Sequence, residues 1–160
     1  MSGINKYKPH LLVVPEDDAN RQIVNGFKLH PGINARAIKV EKASGGWIKA
    51  KNSVNSCQLE NLSERYLLIM VDFDGKLERK DEILQAVDPL LVDRVYVLGT
   101  LSEPEQLRKD LGDYETIGKR LAEACVSNRL DSEPWTHMLL KHNIEDAGRL
   151  RETLDAVLFI

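Results

Sequence analysis

Tyr66-Leu67-Leu68-Ile69-Met70-Val71-Asp72-Phe73-Asp74-Gly75 is the stretch that decides the fold. Its first six residues are apolar without alternation, the pattern of a strand buried on both faces, as in a parallel sheet. The run stops abruptly at two aspartates and a glycine. The same pattern occurs twice more. His10-Leu11-Leu12-Val13-Val14-Pro15 runs into Glu16-Asp17-Asp18, and Arg94-Val95-Tyr96-Val97-Leu98-Gly99 runs into Thr100-Leu101-Ser102-Glu103-Pro104-Glu105. Strands of an open parallel α/β sheet end on one edge, and ligands bind outside that edge. Neighbouring strands would therefore bring the three acidic clusters together. Converging carboxylates take up protons unless a cation neutralises them, and oxygen-only ligation is the habit of Mg2+ and Mn2+. The expectation is a divalent-metal site for phosphate chemistry.

The segments between these strands read mostly as helices. Asp17 or Asp18 can cap a helix through about Phe27, with Gly26 weakening its end. Ala35–Glu41 reads as another strand, broken by Ser44-Gly45-Gly46. Helices are expected from Trp47 to about Leu59, over Leu77–Val87, from Ser102 to about Leu111, and over Asp113–Val126, Pro134–His142 and Ile144–Leu154. Val92–Leu98 is the last strand. Strands alternating with helices predict an α/β fold with a mainly parallel sheet and helices on both faces. At 160 residues the chain is expected to be a single domain over 1–160, with a core over about 10–110 and a helical C-terminal part. The apolar tail Val157-Leu158-Phe159-Ile160 is expected to pack or to contact a partner, and a homo-oligomer stays open.

A net charge of −3 makes the chain no polycation, although nucleic-acid binding depends on local patches. Cys57 and Cys125 form no CxxC and no disulfide framework, which fits a reducing cytoplasm. Met1 to Pro9 lacks the apolar core of a signal peptide. No apolar run approaches membrane-spanning length.

Asp72-x-Asp74-Gly75 is the sharpest local signal. Alternate residues of an extended segment face one way, and Gly75 permits a tight turn beside a ligand. Glu16 follows its strand directly, whereas Asp17 and Asp18 fit an acidic first helical turn. Ser102-x-x-Glu105 matches a capping box, which leaves Glu103 as the better ligand of that cluster. Asp72, Asp74, Glu16 and Glu103 are the expected metal ligands. Lys76 stands ready to neutralise a phosphate or to pair with Glu78. Arg36, Lys39, Lys42, Lys49 and Lys51 outnumber the single Glu41 over residues 36–51. They would grip phosphates with Trp47 stacking on a base, or form a solvated face with Trp47 as a core anchor. His137 and His142 are five apart and point apart on a helix, so they read as capping or packing residues. Trp135, Met138, Leu139 and Leu140 read as core.

The order of Val13-Val14-Pro15-Glu16, Val71-Asp72-Phe73-Asp74-Gly75 and Val97-Leu98-Gly99 leading to Ser102-Glu103-Pro104-Glu105 resembles the Toprim fold shared by topoisomerases, bacterial primases and OLD-type nucleases. In that family a glutamate ends the first strand and a DxD ends a later one, places that Glu16, Asp72 and Asp74 match. Lys42-Ala43-Ser44-Gly45-Gly46 is a loose counterpart of the family's basic, glycine-containing middle region. Glu103-Pro104-Glu105 resembles the acidic step of primase Toprim domains. The resemblance implies a Rossmann-like fold and an Mg2+- or Mn2+-dependent nuclease acting on DNA or RNA. In it Asp72 and Asp74 hold the metal, and Glu16 is a further ligand or the acid/base. It also suggests the effector subunit of a bacterial system, phage defence included, beside a separate ABC-type ATPase.

Three other readings stay open. Asp72-Phe73-Asp74-Gly75, with Thr100 following a later strand, resembles a haloacid-dehalogenase-like phosphatase with Asp72 as nucleophile. Leu12 to Arg21 looks like the start of a response-regulator receiver. A binding subunit with an inert acidic site is the third.

Overall fold

A computed structural model describes residues 4–160 of the chain; the first three residues of the polar N-terminal segment lie outside it. Strands β1 (His10–Pro15), β2 (Ile38–Val40), β3 (Arg65–Met70) and β4 (Val95–Leu98) form one sheet in the order β2-β1-β3-β4. All three pairings are parallel. Among the described residues, six α-helices complete the fold: α1 (Asp18–Lys28), α2 (Trp47–Asn52), α3 (Glu78–Gln85), α4 (Pro104–Leu111), α5 (Tyr114–Val126) and α6 (Ile144–Leu158). This is the α/β, Rossmann-like arrangement that the continuous apolar runs predict.

The strands are apolar on both sides because both sides are covered. Leu11, Val13, Leu68, Met70, Tyr96 and Leu98 share one core with Ile23 and Val24 of α1, Ile117 and Leu121 of α5, and Leu150 and Leu154 of α6. Leu12, Val14, Leu67, Ile69, Val95 and Val97 share the other core with Ala50 of α2 and Ile83 of α3. The chain leaves β1 for β2 at one edge, then returns past β1 to β3. The winding direction reverses there, so the crevice outside the carboxyl ends of β1 and β3 is the topological switch point.

Gly26 is not a weak helix end. A Cβ on it would lie 2.0 Å from the Glu115 carbonyl oxygen, and one on Gly118 would lie 1.9 Å from that of Ile23. The two glycines let the backbones of α1 and α5 touch. That contact packs α5 directly onto α1.

Several expected elements are shorter or different. β2 begins only at Ile38, because Ala35–Ala37 forms a 3-10 turn. Asn34 causes this: its N–H donates to Leu158 O at 2.7 Å and its amide to Val157 O at 3.1 Å, which draws the chain away from the sheet. The helix from Trp47 ends at Asn52 and tightens to 3-10 over Ser53–Ser56. There the Ser53 and Ser56 hydroxyls bond carbonyls three residues back, at 2.5 and 2.9 Å. No α-helix forms over residues 134–142: 134–140 run as successive turns and bends, and a 3-10 turn starts at Lys141. The His137 ring takes the Leu139 N–H at 3.0 Å and holds Asp110 at 2.9 Å, which removes a donor that a helix needs. The capping box does not form either. The residue before α4 is Glu103, left-handed at φ 46°, and no side chain caps the helix.

Ile144 starts α6, which runs past Leu154 to Leu158 with a break in helical geometry at Leu154. The tail packs in part: Leu158 is buried and Phe159 bridges to Ile33, but Ile160 is exposed. Trp135, Leu139 and Leu140 are core residues, whereas Met138 and Leu77 are exposed rather than packed. Among the described residues, no helix is long and apolar enough to cross a membrane.

Candidate functional site

Glu16 extends β1 by one residue, and its N–H donates to Met70 O of β3 at 2.8 Å. Its carbonyl is gripped from the other side. The Gly45 and Gly46 N–H groups donate to it at 2.9 and 3.3 Å, and Ser44 N–H donates to Pro15 O at 2.9 Å. Gly45 and Gly46 have φ of 89° and 141°, conformations that favour residues without a Cβ. The glycine-containing segment after β2 is thus folded onto the end of β1.

Asp72 stands two residues beyond β3. Val71 and Phe73 keep pairing with the β4 side, their N–H groups donating to Leu98 O at 3.0 Å and Thr100 O at 2.9 Å. Gly99 permits this approach, since a Cβ there would fall 1.6 Å from Val71 O. The chain then reverses in a tight turn, with Lys76 N–H donating to Phe73 O at 2.8 Å. Its two central residues, Asp74 and Gly75, both have positive φ, 51° and 75°, as a type I′ turn requires. Asp72 Oδ1 accepts the Asp74 N–H at 3.0 Å, which fixes the Asp72 rotamer.

Glu16 and Asp72 therefore end adjacent strands at the switch point, each half-buried, and each carboxyl is held against ionisation. Burial, then the charges of Asp17 and Asp72, push the Glu16 carboxyl up to about 7. Burial also raises Asp72, the Asp74 and Asp17 charges adding to it against the Asp74 N–H bond and Arg79. Glu16 Oε1 is fully buried and has no hydrogen-bond partner. Of the two caps the sequence allows for α1, Asp17 is the one that forms, accepting the Asn20 N–H at 2.9 Å.

Two neighbours of this pair escaped the sequence reading. Arg79, in the first turn of α3, points back to the turn. Its Nη1 donates to Asp72 O at 3.0 Å, its Nη2 lies 3.9 Å from Asp74, and its guanidinium lies over the Trp47 ring at 4.7 Å. Tyr114, the first residue of α5, approaches from the opposite face. Its hydroxyl is raised by burial and by the Glu105 charge, with Asp17 and Asp72 also acting on it. A helix beginning after Asp-x-Asp-Gly is the one sequence signal for Arg79. Tyr114 has none, because only the α1–α5 contact places it.

The other expected site residues spread outward. Asp74 is exposed and faces Arg79. Lys76 and Glu103 are exposed, and neither makes a side-chain hydrogen bond or ion pair among the described residues. Among the basic residues, Trp47 packs on the α2–α3 core, Lys51 lies over its ring at 5.8 Å, and Lys39 pairs with Glu41 at 3.6 Å. Lys42 and Lys49 are exposed. Among the described residues, no three His, Cys, Asp or Glu side chains gather as a metal-holding group. Glu16 and Asp72 form a pair of oxygen donors, and Mg2+ is commonly held by one or two carboxylates, with waters and substrate phosphate completing the shell. The buried, unpartnered Glu16 Oε1 beside Asp72 is the atom such a cation would satisfy, whereas Asp74 is turned to Arg79. His142 supports the site from behind. It bonds Gly99 O at 2.7 Å and meets the Phe73 ring edge-on at 5.2 Å, while Asn143 holds both the N–H and the carbonyl of Gly99.

Comparison with protein-family models, with curated proteins and with solved structures gives no match to this chain.

Proposed function

We propose that this chain is a Toprim-like, Mg2+- or Mn2+-dependent nuclease that hydrolyses a phosphodiester bond at the β1–β3 crevice. The observation that carries the reading is the buried, partnerless Oε1 of Glu16 beside Asp72 at the switch point. A carboxyl held near 7 is half protonated at neutral pH, which suits it to take a proton from an attacking water or return one to a leaving oxygen. Asp72, locked by the Asp74 N–H, is the fixed ligand. A cation held by Glu16 and Asp72 would polarise the phosphate and stabilise the charge that develops there. Tyr114 closes the α5 side. Lys42 and Lys49, on the loop and helix beside Glu16, extend a basic track for the nucleic-acid backbone. The effector role beside an ABC-type ATPase belongs to the same proposal.

The test is incubation with Mg2+ or Mn2+ on single- and double-stranded DNA and RNA. Cleavage is expected from the native chain and lost in Glu16→Gln and Asp72→Asn. Cleavage that persists in both variants would falsify the assignment.

One observation favours a second reading. Thr100 is buried at the end of β4, and its carbonyl accepts the Phe73 N–H directly after Asp72. That is the neighbourhood of an aspartate phosphorylated by a haloacid-dehalogenase-like phosphatase or a receiver. A stable acyl phosphate on Asp72 after exposure to a small phosphodonor would decide for it.

A further inference from the structure

Arg79 is the most heavily buried cation beside the carboxylate pair, and its hydrogen-bonding capacity is largely unused. Its side chain is 14% exposed. A guanidinium carries five N–H donors, yet only Nη1 finds an acceptor, the Asp72 backbone carbonyl. Nε is fully buried with no partner, and the nearest Asp74 oxygen is 3.9 Å from Nη2, beyond hydrogen-bond range. Buried donors are normally satisfied, and an exception requires an explanation. Structural demand does not supply one here. Arg94, on the same protein, spends its guanidinium on three backbone carbonyls at 2.7–2.9 Å.

The surroundings fix Arg79 in place. Trp47 covers one face of the guanidinium plane and the Asp72 carbonyl anchors one edge. A planar fork with free N–H groups, pinned beside two carboxyls, matches the geometry of a tetrahedral oxyanion. We infer that Arg79 is the phosphate-binding residue of the site, taking the non-bridging oxygens of the substrate through the N–H groups that the protein leaves free. It takes the place expected for the exposed Lys76. It also changes the expectation for Trp47, whose ring face supports Arg79 rather than a base. The inference rests on the nuclease reading only for the identity of the phosphate ester.

Trp47 supplies the readout. The chain has two tryptophans. Trp135 is buried and its indole N–H donates to Leu121 O at 3.1 Å, so its resonance serves as the internal reference. Inorganic phosphate is titrated into ¹⁵N-labelled full-length chain in metal-free buffer. The Trp47 indole resonance is expected to shift in a saturable way and the Trp135 resonance to stay still. Arg79→Gln is expected to weaken the apparent affinity at least about tenfold, the loss of roughly one charge-assisted contact. Arg79→Lys, which keeps the charge but not the fork, falls between the two and stands in should Arg79→Gln fail to fold. A folded variant that binds phosphate as the native chain does, or a Trp47 resonance that phosphate never moves, overturns the inference. Arg79-dependent phosphate binding without nuclease activity would leave the inference standing and remove the nuclease reading. Nuclease activity with unchanged phosphate binding in Arg79→Gln would do the reverse.

Discussion

The two ends of the sheet treat buried polar groups in opposite ways. At the amino end, His10 is almost fully buried and both its ring nitrogens are engaged: Nδ1 with Lys8 O at 2.7 Å, and Nε2 with Arg65 Nε at 3.0 Å. Arg65 continues to Cys57 O at 3.0 Å, and Arg94 gathers the carbonyls of Leu59, Leu62 and Arg65. Burial lowers the proton affinity of His10, and the Arg65 guanidinium that donates to Nε2 lowers it further. At the carboxyl end, Glu16 Oε1 and Arg79 Nε have no partner, and two carboxyls crowd each other. Satisfied burial at one end holds loops to the sheet. Unsatisfied burial at the other is stability withheld, the usual mark of a site shaped for something other than folding.

The largest effect that could break this contrast is on activity. Glu16→Gln and Asp72→Asn are expected to lower turnover of nucleic acid by about 10²–10⁴-fold, the range for loss of an acid/base or a charge-stabilising group. Their circular dichroism should match that of the native chain. A carboxyl end that could be neutralised without loss of turnover would be merely an acidic surface.

The next effect is on stability and lies at the opposite end. Arg94→Ala strips donors from three backbone carbonyls in one step. Leu62 O keeps the Arg65 N–H; leaving the other acceptors unsatisfied costs about 1–3 kcal/mol each, so a loss of about 2–3 kcal/mol is expected for groups that water can partly reach. Urea unfolding measures it. A loss under about 0.5 kcal/mol, the scale of an ordinary surface substitution, would show that the amino end is not the structural half of the molecule.

The contrast was only half legible in the sequence. β1, β3 and β4 were legible because a parallel strand buried on both sides must be apolar throughout, and the acidic residues closing them could then lie only on the carboxyl edge. Glu16 and Asp72 followed from that. The basic glycine segment was legible as a loop, though not as the loop whose N–H groups hold the Glu16 carbonyl. Arg79 and Tyr114 were illegible for a common reason: the first depends on a turn of positive φ at Asp74 and Gly75, the second on close approach of α1 and α5. Neither contact leaves a periodic signal. Residues 134–142 misled because their apolar content is that of a helix, while the His137 ring diverts the backbone donors. The amino-end network was invisible, since Arg65 and Arg94 bond backbone carbonyls, which every sequence has.

The smallest effect separates the two ends by the sign of their pH dependence. The Glu16 carboxyl titrates near 7 in the folded chain, above its ordinary value of 4.5. An acid whose folded-state pKa is raised binds protons more tightly when folded, so stability falls as pH rises from about 4.5 to about 7. Below that window Glu16 is neutral in both states and costs nothing through charge. Above it the full cost is present, about 1–2 kcal/mol once solvent screening of a half-buried group is allowed for. Glu16→Gln has no charge to bury, so it should unfold at higher urea than the native chain at pH 8, and at nearly the same urea at pH 4. Arg94→Ala should be destabilised equally at both, because its guanidinium stays charged throughout. Adding Mg2+ at pH 8 should close the gap between the native chain and Glu16→Gln, since a cation bound by Glu16 and Asp72 stabilises only the folded state that holds both carboxylates. A gap of the same size at pH 4 and pH 8 would mean that Glu16 is not held against ionisation. The buried Oε1 would then be a packing detail, as satisfied in function as His10 is in structure.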